Sequence, residues 1–504
     1  MTINKIDSNV TGLRYAEETS LEVLPGTPIW YPLEPNGYKD FGSDIKTVAR
    51  SPINASRQRK KGVVTDLDAS GGFTQDLTQT NLTRLMQGFF FANIREKTTT
   101  LPMNGTAVPL TGIVASTKTY SAASGLGSFL AGSLVKATGF TNSANNGLKK
   151  VASKTSTTVV VVETCVDETP AATATLETVG FQFASGDVTF TMNGDLVRLN
   201  SAAITMTTLG LIAGEWVYVG GDTAIMTPAL NSGFARVSSI AAGYIEFDKT
   251  SWEGAADTAS GKTVQVFFGS VIRNESDPAL IVKKSYNVER TLGSDANGVM
   301  SEYLVGAVAN EMTINIPQAD KVTMDLSFVA VDNEQRNGTT GVKSGTRPTL
   351  TETDAFNTTS DFSRIKLAAV SATDSSPVPL FAIATELNIT IKNNVSPDKA
   401  IAVLGAFDIT AGTFEIDGKL TAYFADIDAV AAVRNNTDIT IDLVMVKENA
   451  GILLDIPLLS LGDGRLNVEK DKPIMLPLNL MGAESSFGHS MLYQNFPYLP
   501  TAAA

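Results

Sequence analysis

The sequence predicts a mainly β protein in which one β-sandwich-plus-helix domain occurs twice and small β modules are inserted into the first copy. Three observations predict this. Short runs alternate apolar and polar residues, as in Thr413–Phe424, where Phe414, Ile416, Leu420, Ala422 and Phe424 share one parity and Glu415, Asp417, Lys419 and Thr421 the other. Thr, Ser, Ala, Val and Gly are plentiful, and no long helical periodicity runs through the chain. Finally, Thr313–Phe328 (TINIPQADKVTMDLSF) aligns without gaps to Arg465–Leu480 (RLNVEKDKPIMLPLNL). Ile314, Ile316, Val322, Met324, Leu326 and Phe328 then meet Leu466, Val468, Ile474, Leu476, Leu478 and Leu480. A one-residue slip would send every one of these side chains to the other face, so the shared register is informative.

From the N-terminus, Thr19–Leu24 and Ile45–Ile53 read as strands, separated by Pro- and Gly-rich extended loop. The most basic cluster follows, at Arg57, Arg59, Lys60 and Lys61. Without interleaved aromatics it reads as a charged loop meeting solvent or an acidic neighbour. A strand over Val63–Thr78 leads into a helix with Leu82, Leu85, Met86, Phe89 and Phe90 on one stripe and Asn81 or Thr80 as N-cap. The later strand is followed in the same way by a helix with Ile427, Val430 and Ala431 on its stripe. Upstream, Leu67–Leu77 (LDASGGFTQDL) resembles Asp408–Gly418 (DITAGTFEIDG), pairing Phe73 with Phe414 and Asp76 with Asp417; the basic loop falls opposite Ser396–Ala400, which contains Lys399.

Residues 97–272 have a different texture, with short strands rich in Thr, Val and Gly. Ala131–Phe140, Gly147–Ser153 and Val159–Glu163 resemble Ala213–Asp222, Gly233–Ser239 and Tyr244–Asp248, which predicts two tandem modules with a boundary near Gly180. The expected division is 1–96 and 273–335 for the first domain, 97–180 and 181–272 for the modules, 336–350 for a linker, and 351–504 for the second domain. The glycine-rich Gly125–Gly132 has the wrong spacing for a phosphate loop and no helix after it.

Composition narrows function. The net charge of −13 disfavours a phosphate-gripping nucleic-acid binder. Cys165 and His489 are the only residues of their types, so neither an intrachain disulfide nor a Cys/His zinc site is available. His489, in the polar SSFGHS, reads as a surface or interface residue, and Cys165, in a Val-rich strand, as a small buried apolar one. No apolar run approaches the ~20 residues that span a bilayer, and the N-terminus lacks a secretion signal pattern. No acidic pair with aromatic platforms is singled out, so no catalytic residue, metal ligand or cofactor is expected.

Three stretches, Asp66–Thr78, Asn393–Phe424 and Leu461–Glu484, resemble the tail tube proteins of long-tailed bacteriophages, in the form that carries two tube domains per chain. The resemblance covers most of the chain outside 97–272. It implies a structural virion protein of the phage tail, with no enzymatic activity and no cofactor, assembled in the host cytoplasm. Chains would form stacked rings whose inner strands close into one β-barrel, and the hollow tube would deliver DNA to the host. Two domains per chain imply three chains in a pseudo-sixfold ring. Implied partners are further copies of the chain, tail tip and tail terminator proteins, and the tape measure protein and viral DNA passing through the lumen without specific binding; no membrane is involved. An acidic lumen would repel phosphates and let the duplex slide. Asp76, Glu415 and Asp417 are the candidate lumen-facing acids, though the same parity would equally suit an outward solvated face. Arg57, Arg59, Lys60, Lys61 and Lys399 are the candidate inter-ring or inter-subunit contacts. The insert would project outward, as an adhesive module or as exterior covering. The alternative, a β-modular surface or fibre adhesin, calls for a secretion signal or anchor.

Overall fold

A computed structural model describes residues 6–504 except 54, 56–57, 96–106, 171–172, 249–253, 296–297, 352, 371–379, 381–383 and 425–426. The protein is mainly β, with antiparallel strands and, among the described residues, two short α-helices. The first block contains β1 (Gly12–Glu17), β2 (Pro35–Arg50), β3 (Lys60–Asp76), α1 (Thr83–Phe90), β4 (Ser285–Asp295), β5 (Gly298–Ile316), β6 (Thr323–Ala330) and β7 (Asp332–Arg336). The second repeats the series as β8 (Phe362–Ala369), β9 (Ala384–Lys392), β10 (Glu415–Tyr423), α2 (Asp428–Asn435), β11 (Ile439–Lys447), β12 (Ala450–Asp463), β13 (Met475–Gly482) and β14 (Leu492–Phe496). Two compact units cut across the division expected from the sequence. One joins residues 1–92, 278–358 and 385–420; the other joins 93–277, 359–384 and 421–504.

In the first unit β5 serves two sheets. Its N-terminal half pairs with β4 and β7 and its C-terminal half with β6 and β9. The strand turns from one sheet to the other at Gly306, whose φ of +63° favours glycine and whose Cβ would meet Val331 at 2.8 Å. One sheet runs β2–β3–β6–β5–β9–β10 and the other β1–β4–β5–β7. Helix α1 buries Leu85, Met86, Phe89 and Phe90 in the core, with Phe89 edge-on to Phe328 at 5.4 Å. The N-cap is Leu82, without a side-chain bond, instead of Asn81 or Thr80. A helix this short, with seven of its eight residues buried, is held by packing and can dispense with a polar cap. The expected strand at Thr19–Leu24 is reduced to a single bridge, Ser20↔Val23. Residues 332–336, expected in loop and linker, form β7.

In the second unit β12 plays the part of β5, pairing with β11 and β14 and then with β13. The gap-free alignment is reproduced as hydrogen-bond register. Val308↔Val329, Ala309↔Phe328 and Asn315↔Thr323 become Ser460↔Met481, Leu461↔Leu480 and Asn467↔Met475. A one-residue irregularity between Tyr286 and Val288 on β4 recurs between Ile439 and Ile441 on β11. The upstream alignment needs correction. The Leu77 N–H donates to the Val322 carbonyl at 3.0 Å, and the Phe424 N–H to Ile474, the counterpart of Val322, also at 3.0 Å. Leu77 therefore corresponds to Phe424, Phe73 to Leu420 and Asp76 to Tyr423. The slip is an even number of residues, so the face assignments survive it, and Phe73 and Leu420 are both buried. Helix α2 is turned from the expected stripe: Ala429 and Ala432 are buried, whereas Ile427 is 69% exposed.

The insert is also a tandem repeat. Leu134↔Lys150 in its first module matches Trp216↔Arg236 in its second. Val159, buried, matches Ile245 and not Tyr244, one residue from the expected pairing. Buried Asn145 holds the Val166 backbone through both ends of its amide, at 3.0 and 2.8 Å, and buried Asn231 holds Ala255 the same way, at 2.7 and 2.9 Å. Although it interrupts the first block in sequence, the insert packs over the second. Its strand Ser270–Arg273 pairs with β14, and Leu134, Trp216, Phe234 and Phe267 share an apolar core with Val444, Leu453, Leu492 and Phe496.

Candidate assembly surface

In the sheet β2–β3–β6–β5–β9–β10, strands β6, β9 and β10 alternate, turning one face to the core and lining the other with polar residues. Three of the sequence candidates lie on the polar face. Asp76 pairs with Lys321 at 2.7 Å and accepts from the Asn36 amide at 2.5 Å. Asp417 pairs with Lys392 at 2.8 Å, and Glu415 is exposed nearby. Bonding to Asp417 raises the Lys392 ammonium above its ordinary range, with Glu311 and Glu415 adding to the effect. Sequence reasoning missed Asp325, the best-connected acid here. It accepts from Lys39 at 2.6 Å, Thr74 at 2.7 Å and Asn315 at 3.1 Å, and these contacts pull its carboxyl below the usual range despite partial burial. Its polar parity in Val322–Phe328 was the available signal. With Glu311 and Glu386, carboxylates outnumber the ammonium groups of Lys39, Lys321, Lys392 and Lys419 on this face, and Asp76, Asp325 and Asp417 are paired with lysines.

Strands β2 and β3 form a long hairpin with Arg59, Lys60 and Lys61 exposed toward its tip; Arg57 lies outside the described residues. Lys399 is not a free cation. It bonds Asp66 at 2.7 Å and also Asp68, which Lys46 contacts as well. Both carboxyls are held below their ordinary range chiefly by Lys399. Also missed was the apolar surface nearby. Ile45, Val48, Val63 and Val64 on the hairpin and Ile401, Leu404 and Phe407 beside Lys399 are exposed. Apolar residues on both parities, as in Val63–Val64, gave no inside and no outside to read.

The opposite sheets are anchored by buried charge. Over the first block's β4–β5, Arg347 bonds Glu289 at 2.7 Å, and the Tyr303 hydroxyl donates to Glu289 at 2.6 Å. Over the second, Arg236 from the insert bonds Asp455 at 3.1 Å and Asp248 at 3.0 Å, while the Trp216 indole N–H donates to Asp455 at 2.9 Å. Burial pushes the Asp455 carboxyl up to about 6 even with Arg236 beside it. Burial likewise opposes the charge on Arg236, but Asp248 and Asp455 more than offset it and raise that guanidinium further.

His489 is buried, not at the surface, because Gly214 and Phe487 close over its ring. Burial, with Arg273 alongside, lowers its pKa to about 3, so it is neutral. Cys165 lies in a loop beyond its strand and is half-buried, its thiol pushed up by partial desolvation.

Among the described residues no helix is long and apolar enough to cross a membrane. No individually curated protein matches the chain in sequence. The family model described as phage tail tube protein matches residues 8–482, nearly the whole length. The ladder of alternating strands agrees with it: the chain belongs to the phage tail tube protein family, a family of structural components of the phage tail.

Proposed function

We propose that copies of this chain close into rings of three, that the rings stack, and that the resulting hollow tube conducts viral DNA to the host. The observation that carries this reading is the repetition of one ladder twice in the chain, with the β5–β9 pairing as a ready-made junction between successive blocks. Heterologous contacts that repeat a fixed rotation close into rings, and closure removes the open sheet edges that a lone β domain must protect. The polar face carrying Asp76, Glu415 and Asp417 would line the bore. Since Asp76 and Asp417 are paired with lysines, only a modest acid excess would face the duplex, enough to disfavour adhesion to phosphates. The hairpin of β2–β3, with Arg59, Lys60 and Lys61, and the apolar surface beside Lys399 would meet the next ring. Arg57 belongs to the same proposal by its position in sequence. Tail tip, tail terminator and tape measure proteins would be partners, and assembly would take place in the host cytoplasm. Electron microscopy of purified protein tests the reading: stacked rings with a central channel are expected, and monomers under all conditions would overturn it.

A further inference from the structure

Where β1, β4 and the loop after β7 converge, a lysine, an asparagine and a glutamate lie in line. The Lys343 ammonium donates to the Asn287 side-chain carbonyl at 2.9 Å, and the Asn287 amide nitrogen donates to Glu18 Oε1, also at 2.9 Å. Asn287 is 1% exposed and Glu18 7%. The carboxylate is held in place: it also accepts from the Ser285 hydroxyl at 2.6 Å and from the backbone N–H groups of Glu22 and Gly306, at 2.8 and 2.9 Å. Lys343 is held as well. Its backbone N–H donates to the Tyr303 hydroxyl at 2.9 Å, its Nζ lies 4.5 Å from the centre of the Tyr303 ring, and Glu334 pairs with it at 2.8 Å. An amine, a carboxamide and a carboxylate held in this order, away from bulk water, are the parts of an aminolysis.

We propose that Lys343 and Asn287 become joined by an isopeptide bond, formed within the chain and assisted by Glu18. The Lys343 ammonium first loses a proton to solvent through the 13% of its side chain that stays exposed. The freed lone pair attacks Asn287 Cγ, which lies one C=O bond from the oxygen that Nζ already touches. Attack sets Nζ beside Nδ2 on one tetrahedral carbon, within reach of Glu18, which takes a proton from the attacking nitrogen and hands it to the leaving one. The Cγ–Nδ2 bond breaks and ammonia departs, one molecule for each Nζ–Cγ bond formed, with no oxidant or cofactor. The second block supplies a contrast. The Glu18 N–H donates to the Ser285 carbonyl as the Val370 N–H does to Asp438, and Ala16↔Asn287 becomes Ala368↔Thr440. Val370 and Thr440 thus stand where the first block has Glu18 and Asn287, and Thr440 accepts from the Arg236 guanidinium at 3.1 Å. That site has no carboxylate at 370, no acyl group at 440 and a guanidinium in place of the amine. The bond ties the loop after β7 to β4, and it forms whether or not the chains close into rings.

Intact-mass spectrometry of the purified full chain tests the proposal. The wild type is expected to weigh less than its sequence by the mass of one ammonia molecule. Tryptic digestion should then yield Ser285–Arg290 attached at Lys343, with no cleavage after that lysine. Lys343→Arg should have the full sequence mass and, on a denaturing gel, migrate apart from the linked wild type. Glu18→Gln, in chains that keep the wild-type circular dichroism, should form the bond at least about a hundredfold more slowly. Wild-type protein that still has its full sequence mass after prolonged incubation would overturn the proposal. So would ammonia lost at another asparagine while trypsin cleaves normally after Lys343. Linkage at the wild-type rate in Glu18→Gln would overturn the role given to that carboxylate.

Discussion

The same two positions, on β4–β5 and on β11–β12, are covered by different parts of the chain. In the first block Glu289 and Tyr303 lie under Trp30, Arg347 and the backbone of Lys343 and Ser344, which come from loops of the same block. In the second, their counterparts Asp442 and Asp455 are met by Arg364 and by Arg236 and Trp216, the last two from the insert. Both solutions put a guanidinium over a buried carboxylate beside a tryptophan, yet the covering segments share no alignment. A sandwich face must be covered, and the source of the cover is free to change. The insert therefore does structural work for a block it does not interrupt.

The comparison can be broken most forcefully at Asp455. Asp455→Ala should cost about 3–5 kcal/mol, since it removes one of the two carboxylates on the buried Arg236 guanidinium, leaving Asp248, and leaves the buried Trp216 indole N–H without its acceptor, whereas Arg347→Ala, which leaves Glu289 its Tyr303 hydroxyl, should cost less, about 1–3 kcal/mol; chemical denaturation of each variant measures both. Paired truncations at the hairpin ends sharpen the contrast between blocks. Ile316→Ala should cost about 2–5 kcal/mol, while Val468→Ala in the unassembled chain should stay within about 0.5 kcal/mol. His489 offers a pH test particular to the second unit. Its folded pKa of about 3 lies below the unfolded 6.5. The unfolded chain therefore takes up a proton first, and stability falls as pH drops below 6.5, by up to roughly 1.4 kcal/mol per unit. His489→Gln should flatten the profile in that window. The smallest effect is expected at Lys399→Ala, since exposed ion pairs contribute little; its denaturation midpoint should be unmoved while ring stacking is tested separately.

Much of the fold was legible because alternation is enforced by burial. The Thr313–Phe328 and Arg465–Leu480 match survived as shared register, and the parity around Ile416, Leu420 and Ala422 held. The six-residue slip upstream went unseen because Phe73 can be laid on Phe414 or Leu420 with the same parity, and only long-range pairing decides between them. The orientation of α2 was hidden for a similar reason: a short helix rich in alanine offers several weak stripes, and the sheet beneath selects one. His489 was misplaced because a polar local sequence says nothing about the glycine and phenylalanine that close over it. The lumen-facing candidates were chosen by parity alone, which could not reveal that Asp76 and Asp417 have lysine partners or that Asp325 is better connected than either. The docking of the insert on the second block was invisible, since no local pattern records which distant surface an apolar face will meet.

Electron cryomicroscopy of the assembled protein, at a resolution that traces strands, is the decisive measurement. Rings of three chains with strands continuous around the bore are expected. Rings of six chains, or strands interrupted around the bore, would contradict the proposed assembly.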